Sequence, residues 1–249
     1  MISSYKKNNN ITVSIVSHGQ FKLLLPLLEN LRKQINLAKI ILTINIPERI
    51  KKPSWLDDLP IIWIHNKSIK GFGNNHNAAF NYCETKYFFV LNPDIRIKED
   101  ILTDLILLKE KNKVNILGPK ILDSYGNNSI NCRKFPNIFY FLRKSLKSKE
   151  KEYFYNDNGS VLITDWIGGM FLIFSREDYI KLNGFDTDFF LYFEDVDICK
   201  RASNIGFTIG QSRNLEVTHE AQRQSHVNFK HFTYHLRSYL LYLKNTLFK

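Results

Sequence analysis

KYFFVLNPD, residues 86–94, decides the fold. The apolar residues from Tyr87 to Leu91 run without the polar interruptions of a strand that has one wet face. They read as a strand buried on both faces, the habit of parallel sheets covered by helices. Asn92, Pro93 and Asp94 are turn formers and mark the point where that strand leaves the sheet. Working outward, ITVSIVS (11–17), KIILTINI (39–46) and PIIWIHN (60–66) repeat the theme. FKLLLPLLENLRKQI, with apolar residues at helical spacing, follows the first run, and Pro26 predicts a kink or a late start. NNHNAAFNYCE is the next helical stretch. Strands alternating with helices predict an α/β fold with a doubly wound, mostly parallel sheet, in which ligands bind beyond the carboxyl ends of the strands.

Further on, VNILGPKIL and VLITDWIGGMFLIFS read as strands. SREDYIKLNG reads as a helix with a capping box from Ser175 to Asp178 and Gly184 at its end. The segment from Arg133, RKFPNIFYFLRKSLKSKEKEYFYNDNG, is basic, aromatic and loop-rich. FKHFTYHLRSYLLYLKNTLFK is a basic, aromatic helical tail. The expected division is one domain over 1–225 and the tail over 226–249, with no repeat and no linker inside the first.

At 249 residues and 44% hydrophobic the chain can bury a full core. No stretch reaches the roughly 18 to 20 apolar residues that span a bilayer, and MISSYKKNNN is polar where a signal peptide is apolar, so a cytoplasmic protein is expected. Cys83, Cys132 and Cys199 are widely separated and in no zinc-ligand spacing, which predicts neither disulfides nor a structural metal site. A formal net charge of +11 argues for an anionic partner: nucleic acid, a phosphorylated small molecule or an acidic membrane surface.

Three stretches carry candidate chemistry. Taken alone, NPD reads as a turn, yet a carboxylate at a strand's carboxyl end is also placed to hold a divalent cation against phosphates. GFGNNHNAAF (71–80) opens with Gly-x-Gly before a helix but has His76 where the dinucleotide fingerprint needs glycine. It reads as a turn and helix cap, or as a close backbone approach to a ligand with Asn77 pointing toward it. FFLYFEDVDICKR (189–201) runs from aromatics into Glu194, Asp195 and Asp197, acids that suit a helix start.

The ordered blocks TVSIVSHG, GFGNNHNAAF, FFVLNPD, DWIGGMFLIFSRE, GFDTDFFLYFEDVDICKRASNIGF and VTHE together resemble the family 2 glycosyltransferases, especially rhamnosyltransferase-like members, over roughly residues 11 to 220. The resemblance implies a GT-A fold, a nucleotide-sugar donor, a divalent cation (Mg2+ or Mn2+) and inversion at the anomeric carbon. It assigns Asp94 to the metal, His219 as a further metal ligand, Asp195 as catalytic base and Glu194 beside it at the acceptor site, with the preceding aromatics as an acceptor platform. The donor is expected against Ser17, His18, Asn45, Gly71, Phe72, Asn77, Asn92 and Asp94, with Asp165, Trp166, Gly168 and Gly169 near the sugar. Two positions depart from the family pattern. Asn45 replaces the aspartate that reads the nucleobase, and Asn92 replaces the first acid of the metal motif, so metal binding is expected to lean on the donor diphosphate. On a helix Asp195 shares a face with Cys199 and Ala202, so Asp197 points elsewhere and reads as a structural or dipole-favoured acid.

The expected function is a metal-dependent inverting hexosyltransferase of polysaccharide biosynthesis. It moves a sugar, rhamnose first, from a dTDP- or UDP-sugar to a growing bacterial-type surface glycan or a lipid-linked saccharide. A catalytically inactive nucleotide-sugar-binding protein is the alternative. Nucleic-acid binding is disfavoured, because no RRM, KH or helix-turn-helix signature occurs and the FED cluster repels phosphate. The basic aromatic stretch 133–152 and the tail suit peripheral attachment to an anionic membrane, at the inner face of the cell membrane, about as well as solvated loops. The remaining histidines, including the His231–His235 pair, are expected to be surface or hydrogen-bonded residues.

Overall fold

A computed structural model describes residues 9–137, 153–155, 159–220 and 229–247. The chain begins with β1 (Ile11–Ser17), α1 (Phe21–Leu31), β2 (Leu37–Ile44), β3 (Ile61–His65), α2 (Phe72–Phe80) and β4 (Tyr87–Leu91). It continues through β5 (Ile95–Arg96), α3 (Ile101–Lys111), β6 (Ile116–Leu122), β7 (Cys132–Arg133), β8 (Val161–Ile163), β9 (Trp166–Ile167) and β10 (Phe171–Ser175). The last elements are α4 (Arg176–Lys181), α5 (Glu194–Asn204), β11 (Ile209–His219) and α6 (Phe229–Leu247). The boundary at 225/226 and most of the basic stretch 133–152 lie outside the described residues.

The main sheet has nine strands in the order β3-β2-β1-β4-β10-β6-β11-β5, with β8 paired to β11. β1 to β4, β6 and β11 run one way, whereas β5, β8 and β10 run against their neighbours. The sheet is therefore mixed but mostly parallel, and β4 lies at its middle.

The uninterrupted apolar run of β4 has a direct cause. Successive side chains of a strand point to opposite faces, and here both faces are covered. Tyr87, Phe89 and Leu91 pack with Leu24, Leu28 and Leu105 of α1 and α3. Phe88 and Val90 pack with Tyr179, Val196 and Ile198 of α4 and α5. Tyr239 and Tyr242 of α6 belong to that second core, so the tail helix is part of the folded body.

Pro26 sits inside α1, which starts five residues earlier, so no late start occurs. The Ser175 hydroxyl accepts the N–H of Asp178 at 3.0 Å, as the capping box predicts. The expected strand VLITDWIGGMFLIFS divides into three, because β9 leaves the main sheet to pair with β7.

His76 of α2 is buried against β1, with Nδ1 2.7 Å from the Ser14 hydroxyl. Burial penalises its charged form and lowers its pKa from 6.5 to about 3. The folded state thus holds a neutral ring. Its contribution to stability is complete above pH 6.5 and is lost as pH falls toward 3, up to roughly 5 kcal/mol. Urea unfolding across that range should show this acid loss, and His76→Gln should flatten it. An identical pH slope in the variant excludes His76 as the source.

Candidate active site

Four segments that are remote in sequence meet beyond the carboxyl ends of β1 and β4. The main chain of Asn92, just past β4, donates to Met170 O at 2.9 Å, which sets the NPD turn beside the turn at Gly168–Met170. From that turn the Gly169 N–H donates to Asp195 Oδ2 at 2.9 Å. A Cβ on Gly169 would stand 3.4 Å from Asp195 Cβ and 3.5 Å from the Phe72 ring, so the turn, the α5 start and the α2 start are in contact. Phe72 N donates to Phe190 O at 3.0 Å, and a Cβ on Gly71 would come within 2.6 Å of that oxygen. Gly71 is therefore required by the approach of the 190 segment.

Asp195 stands in the first turn of α5 with Glu194 and Asp197. The Val196 N–H donates to its Oδ1 at 2.9 Å. Each carboxylate oxygen thus accepts a backbone N–H and keeps capacity for another bond, since a carboxylate offers about four acceptor sites. Burial raises its pKa above the usual carboxylate range, against the pull of the Gly169 and Val196 N–H groups and of the Arg133 guanidinium. Glu194 is raised well above its ordinary value, by burial first and then by the charge of Asp195. Its Oε2 is buried and has no hydrogen-bond partner. Burial and the neighbouring Asp195 charge thus both favour the neutral form of Glu194.

Asp197 turns into the fold, as the helical phase predicts. It accepts from Arg201 Nε at 2.7 Å, and Arg201 in turn donates to the carbonyls of Leu182 and Gly184. This makes Asp197 a structural acid.

The aromatics before the helix do other work than the expected platform. Phe189 and Phe193 are buried in the second core. Tyr192 and Phe193 adopt φ of +69° and +65°, left-handed conformations that cost a bulky residue roughly 1 kcal/mol or more each. Helix α6 holds them there. His231 Nδ1 lies 2.9 Å from the Tyr192 hydroxyl, Ser238 donates to Leu191 O at 2.9 Å, and the Phe193 ring packs on Tyr239 and Tyr242. The strained turn ends the aromatic run abruptly and starts α5 with Asp195 facing Gly169.

The second acidic position lies at the next strand ends. β11 pairs with β5, which brings His219 opposite Ile95. His219 Nε2 then stands 3.1 Å from Asp94 Oδ1, with side-chain exposures of 15% and 16%. The pair lacks hydrogen-bond alignment, so Asp94 Oδ1 remains a buried oxygen without a hydrogen bond. An anionic oxygen and an imidazole nitrogen converging in this way fit two positions in the coordination sphere of Mg2+ or Mn2+. Among the described residues no group of three or more His, Cys, Asp or Glu can hold an ion. Among the described residues, therefore, no further acid, histidine or cysteine completes a set around this pair. Arg96 and Glu220, paired at 2.7 Å, close the same β5–β11 edge.

Other expected contacts are placed differently. Asn77 is turned away from the strand ends: its Oδ1 accepts from the Tyr179 hydroxyl and Phe185 N, and its Nδ2 donates to Phe185 O. Asp165 accepts from Phe135 N and the Tyr155 hydroxyl, and the Trp166 indole donates to Lys134 O, so both side chains anchor the segment that follows β7. Gly168 is fixed by Asn131, whose side-chain oxygen accepts its N–H at 2.9 Å and stands where a Cβ would go.

Asn45 is buried, and its amide is used internally. Oδ1 accepts from Asn66 Nδ2 and Lys70 N, while Nδ2 donates to Lys70 O and reaches His18 Nδ1 at 3.0 Å. An amide nitrogen only donates, so Nδ1 of neutral His18 accepts and its proton sits on Nε2, on an exposed ring. In place of Asn45, His18 offers the outward donor at this end of the sheet. Ser17 is likewise turned inward, onto Glu48. Glu48 also accepts the Phe21 N–H at 2.9 Å and so caps α1 from a distance. The sequence signal for Glu48 is indirect: α1 begins without a side-chain cap of its own, so an outside acceptor is needed.

Comparison with known proteins agrees with this architecture. Residues 12–178 match the family model for glycosyl transferase family 2, and residues 161–228 match a model described as the N-terminal domain of galactosyltransferase. The chain is 30% identical over 248 residues to the rhamnosyltransferase WbbL of Escherichia coli, covering 94% of this chain and 92% of that protein. It is 22% identical over 173 residues to the low-salt glycan biosynthesis hexosyltransferase Agl10 of Haloferax volcanii, covering 66% and 53% of the two chains. Among solved structures, the mannosyltransferase PcManGT from Pyrobaculum calidifontis, in complex with GDP-Man and Mn2+, superposes with a TM-score of 0.64 at 16% identity. That match covers 94% of this chain and 64% of the other. S. aureus TarS superposes at 0.62 and 14% identity, over 85% of this chain and 37% of TarS. These likenesses establish a GT-A fold. With most of its length matched by the family model and a relative at 30% identity along nearly the whole chain, this protein belongs to glycosyl transferase family 2 and is rhamnosyltransferase-like.

Proposed function

We propose that the enzyme transfers a sugar, rhamnose being the first candidate, from a dTDP- or UDP-linked donor to a growing surface glycan or lipid-linked saccharide, with inversion in one displacement. The observation that carries this reading is the pairing of two differently prepared carboxylates. Asp195 is oriented by two backbone N–H groups and raised by burial, and Asp94, two residues beyond Asn92, sits against His219. The Asn92 N–H donates to Met170 in the turn that braces Asp195. The likeness to a rhamnosyltransferase supports the choice of sugar.

In this mechanism ionised Asp195 takes the proton of the acceptor hydroxyl. The new bond forms between that oxygen and the anomeric carbon while the bond to the donor phosphate breaks on the opposite face, and the nucleoside diphosphate departs. A positioned base of this kind is worth about 10²-fold to 10⁴-fold. A divalent cation held by Asp94 and His219 would stabilise charge on the departing diphosphate. Glu194, whose neutral form burial favours, lies beside the base. His18 Nε2–H is available to the nucleotide, and Asn45 fixes its ring. The proposed place of action is the cytoplasm, at the inner face of the cell membrane. Among the described residues no helix is long and apolar enough to cross a membrane.

Thermal unfolding against dTDP, UDP, GDP and their sugars, with and without Mn2+, tests the reading. A ligand selective for the folded state raises the melting temperature. The expected result is a rise that needs both metal and a nucleoside diphosphate and is largest for the dTDP series. A full panel without any shift contradicts it.

A further inference from the structure

Helix α6 has a second working face. Its inner side, with Ser238, Tyr239 and Tyr242, is buried on the core and on the strained turn before α5. On its outer side Phe232, Leu236, Leu240 and Leu247 are 55%, 37%, 57% and 62% exposed. At 3.6 residues per turn these four fall within roughly 80° of the helix circumference. Arg237 and Lys244 are exposed along one border of the row. From residue 221 to the end of the chain there is no Asp or Glu.

A continuous row of large apolar side chains on one helix face marks an interaction site, whereas single exposed ones do not. The border chooses the partner. A second copy docking helix to helix would set Arg237 and Lys244 against the same cations, with no acid on either helix to pair them. A surface that is anionic outside and apolar beneath satisfies both parts. We infer that the outer face of α6 lies on an anionic lipid bilayer, with the apolar row in the acyl boundary and Arg237 and Lys244 on the headgroups. This deepens the membrane-face location proposed above and rests on that part of the reading, not on the transfer chemistry. Since the inner face of the same helix carries the turn that positions Asp195, docking would hold the active site close to the bilayer.

Vesicle flotation of the full chain tests this, with phosphatidylglycerol–phosphatidylcholine vesicles against phosphatidylcholine alone. The expected result is flotation with the anionic vesicles only, weakening as salt rises. Arg237→Gln with Lys244→Gln, and separately Phe232→Ser with Leu240→Ser, should each weaken partitioning by at least about tenfold. All four positions are exposed, so unchanged melting temperatures are expected. No flotation at low salt overturns the inference. So does undiminished flotation of both double variants, which would assign attachment to another segment, or a dimer in sedimentation equilibrium that Leu240→Ser dissociates, which would make a second copy the occupant.

Discussion

Asp195→Asn should lower turnover by roughly 10²-fold or more while leaving nucleoside diphosphate binding intact. The asparagine keeps the size of the side chain and can still accept the Gly169 N–H through its oxygen, so the turn it braces should persist. What it loses is the capacity to take a proton. The pH profile carries a second signature. Because burial raises the pKa of Asp195 above its ordinary 3.8, the wild-type rate should climb with pH along an acid limb whose midpoint lies above that value. The limb should vanish from the residual activity of the variant. Asp197→Asn should behave in the opposite way, losing stability as Arg201 loses its carboxylate partner but keeping most of its turnover. A dead Asp197 variant beside a normal Asp195 variant would reverse the assignment.

Asp94→Ala should abolish transfer, and excess EDTA should do the same to the wild type. The side chain supplies the anionic half of the pair with His219, and its Oδ1 is buried without a hydrogen bond. Removing it takes away the proposed metal ligand without breaking an internal hydrogen bond of that oxygen. The β5–β11 edge is still held by its ladder and by Arg96–Glu220, so the fold should survive. His219→Ala should weaken metal dependence less severely, since an imidazole contributes coordination but no charge. Full activity in either the Asp94 variant or EDTA would remove the metal role.

The sheet was legible in the sequence because its central strands are buried twice over. YFFVL can be read as a strand between two helical layers without knowing which helices they are. That Asp197 and Asp195 point in different directions was legible too, because helical phase is a local property. Asn77, Asp165, Trp166 and Gly71 were expected near the donor, and the structure uses them to bind Phe185, Phe135, Lys134 and the Phe190 backbone. Composition and spacing show that an amide or a glycine follows a strand. They do not show where its hydrogen bonds go when the partner is up to about a hundred residues away, as Phe185 is from Asn77. The strained turn at Tyr192–Phe193 was hidden for the same reason. Neither residue favours a left-handed backbone, and the helix that enforces it begins at Phe229.

The claim that two carboxylates divide the work, Asp94 for the departing diphosphate and Asp195 for the acceptor proton, is tested most directly without any acceptor. Calorimetric titration of a nucleoside diphosphate, dTDP first and UDP next, into wild type, Asp94→Ala and Asp195→Asn in the presence of Mn2+ separates the roles. The account predicts that Asp195→Asn binds like wild type and that Asp94→Ala loses the metal-dependent component. Intact metal-dependent binding in Asp94→Ala, with loss in Asp195→Asn, would contradict it.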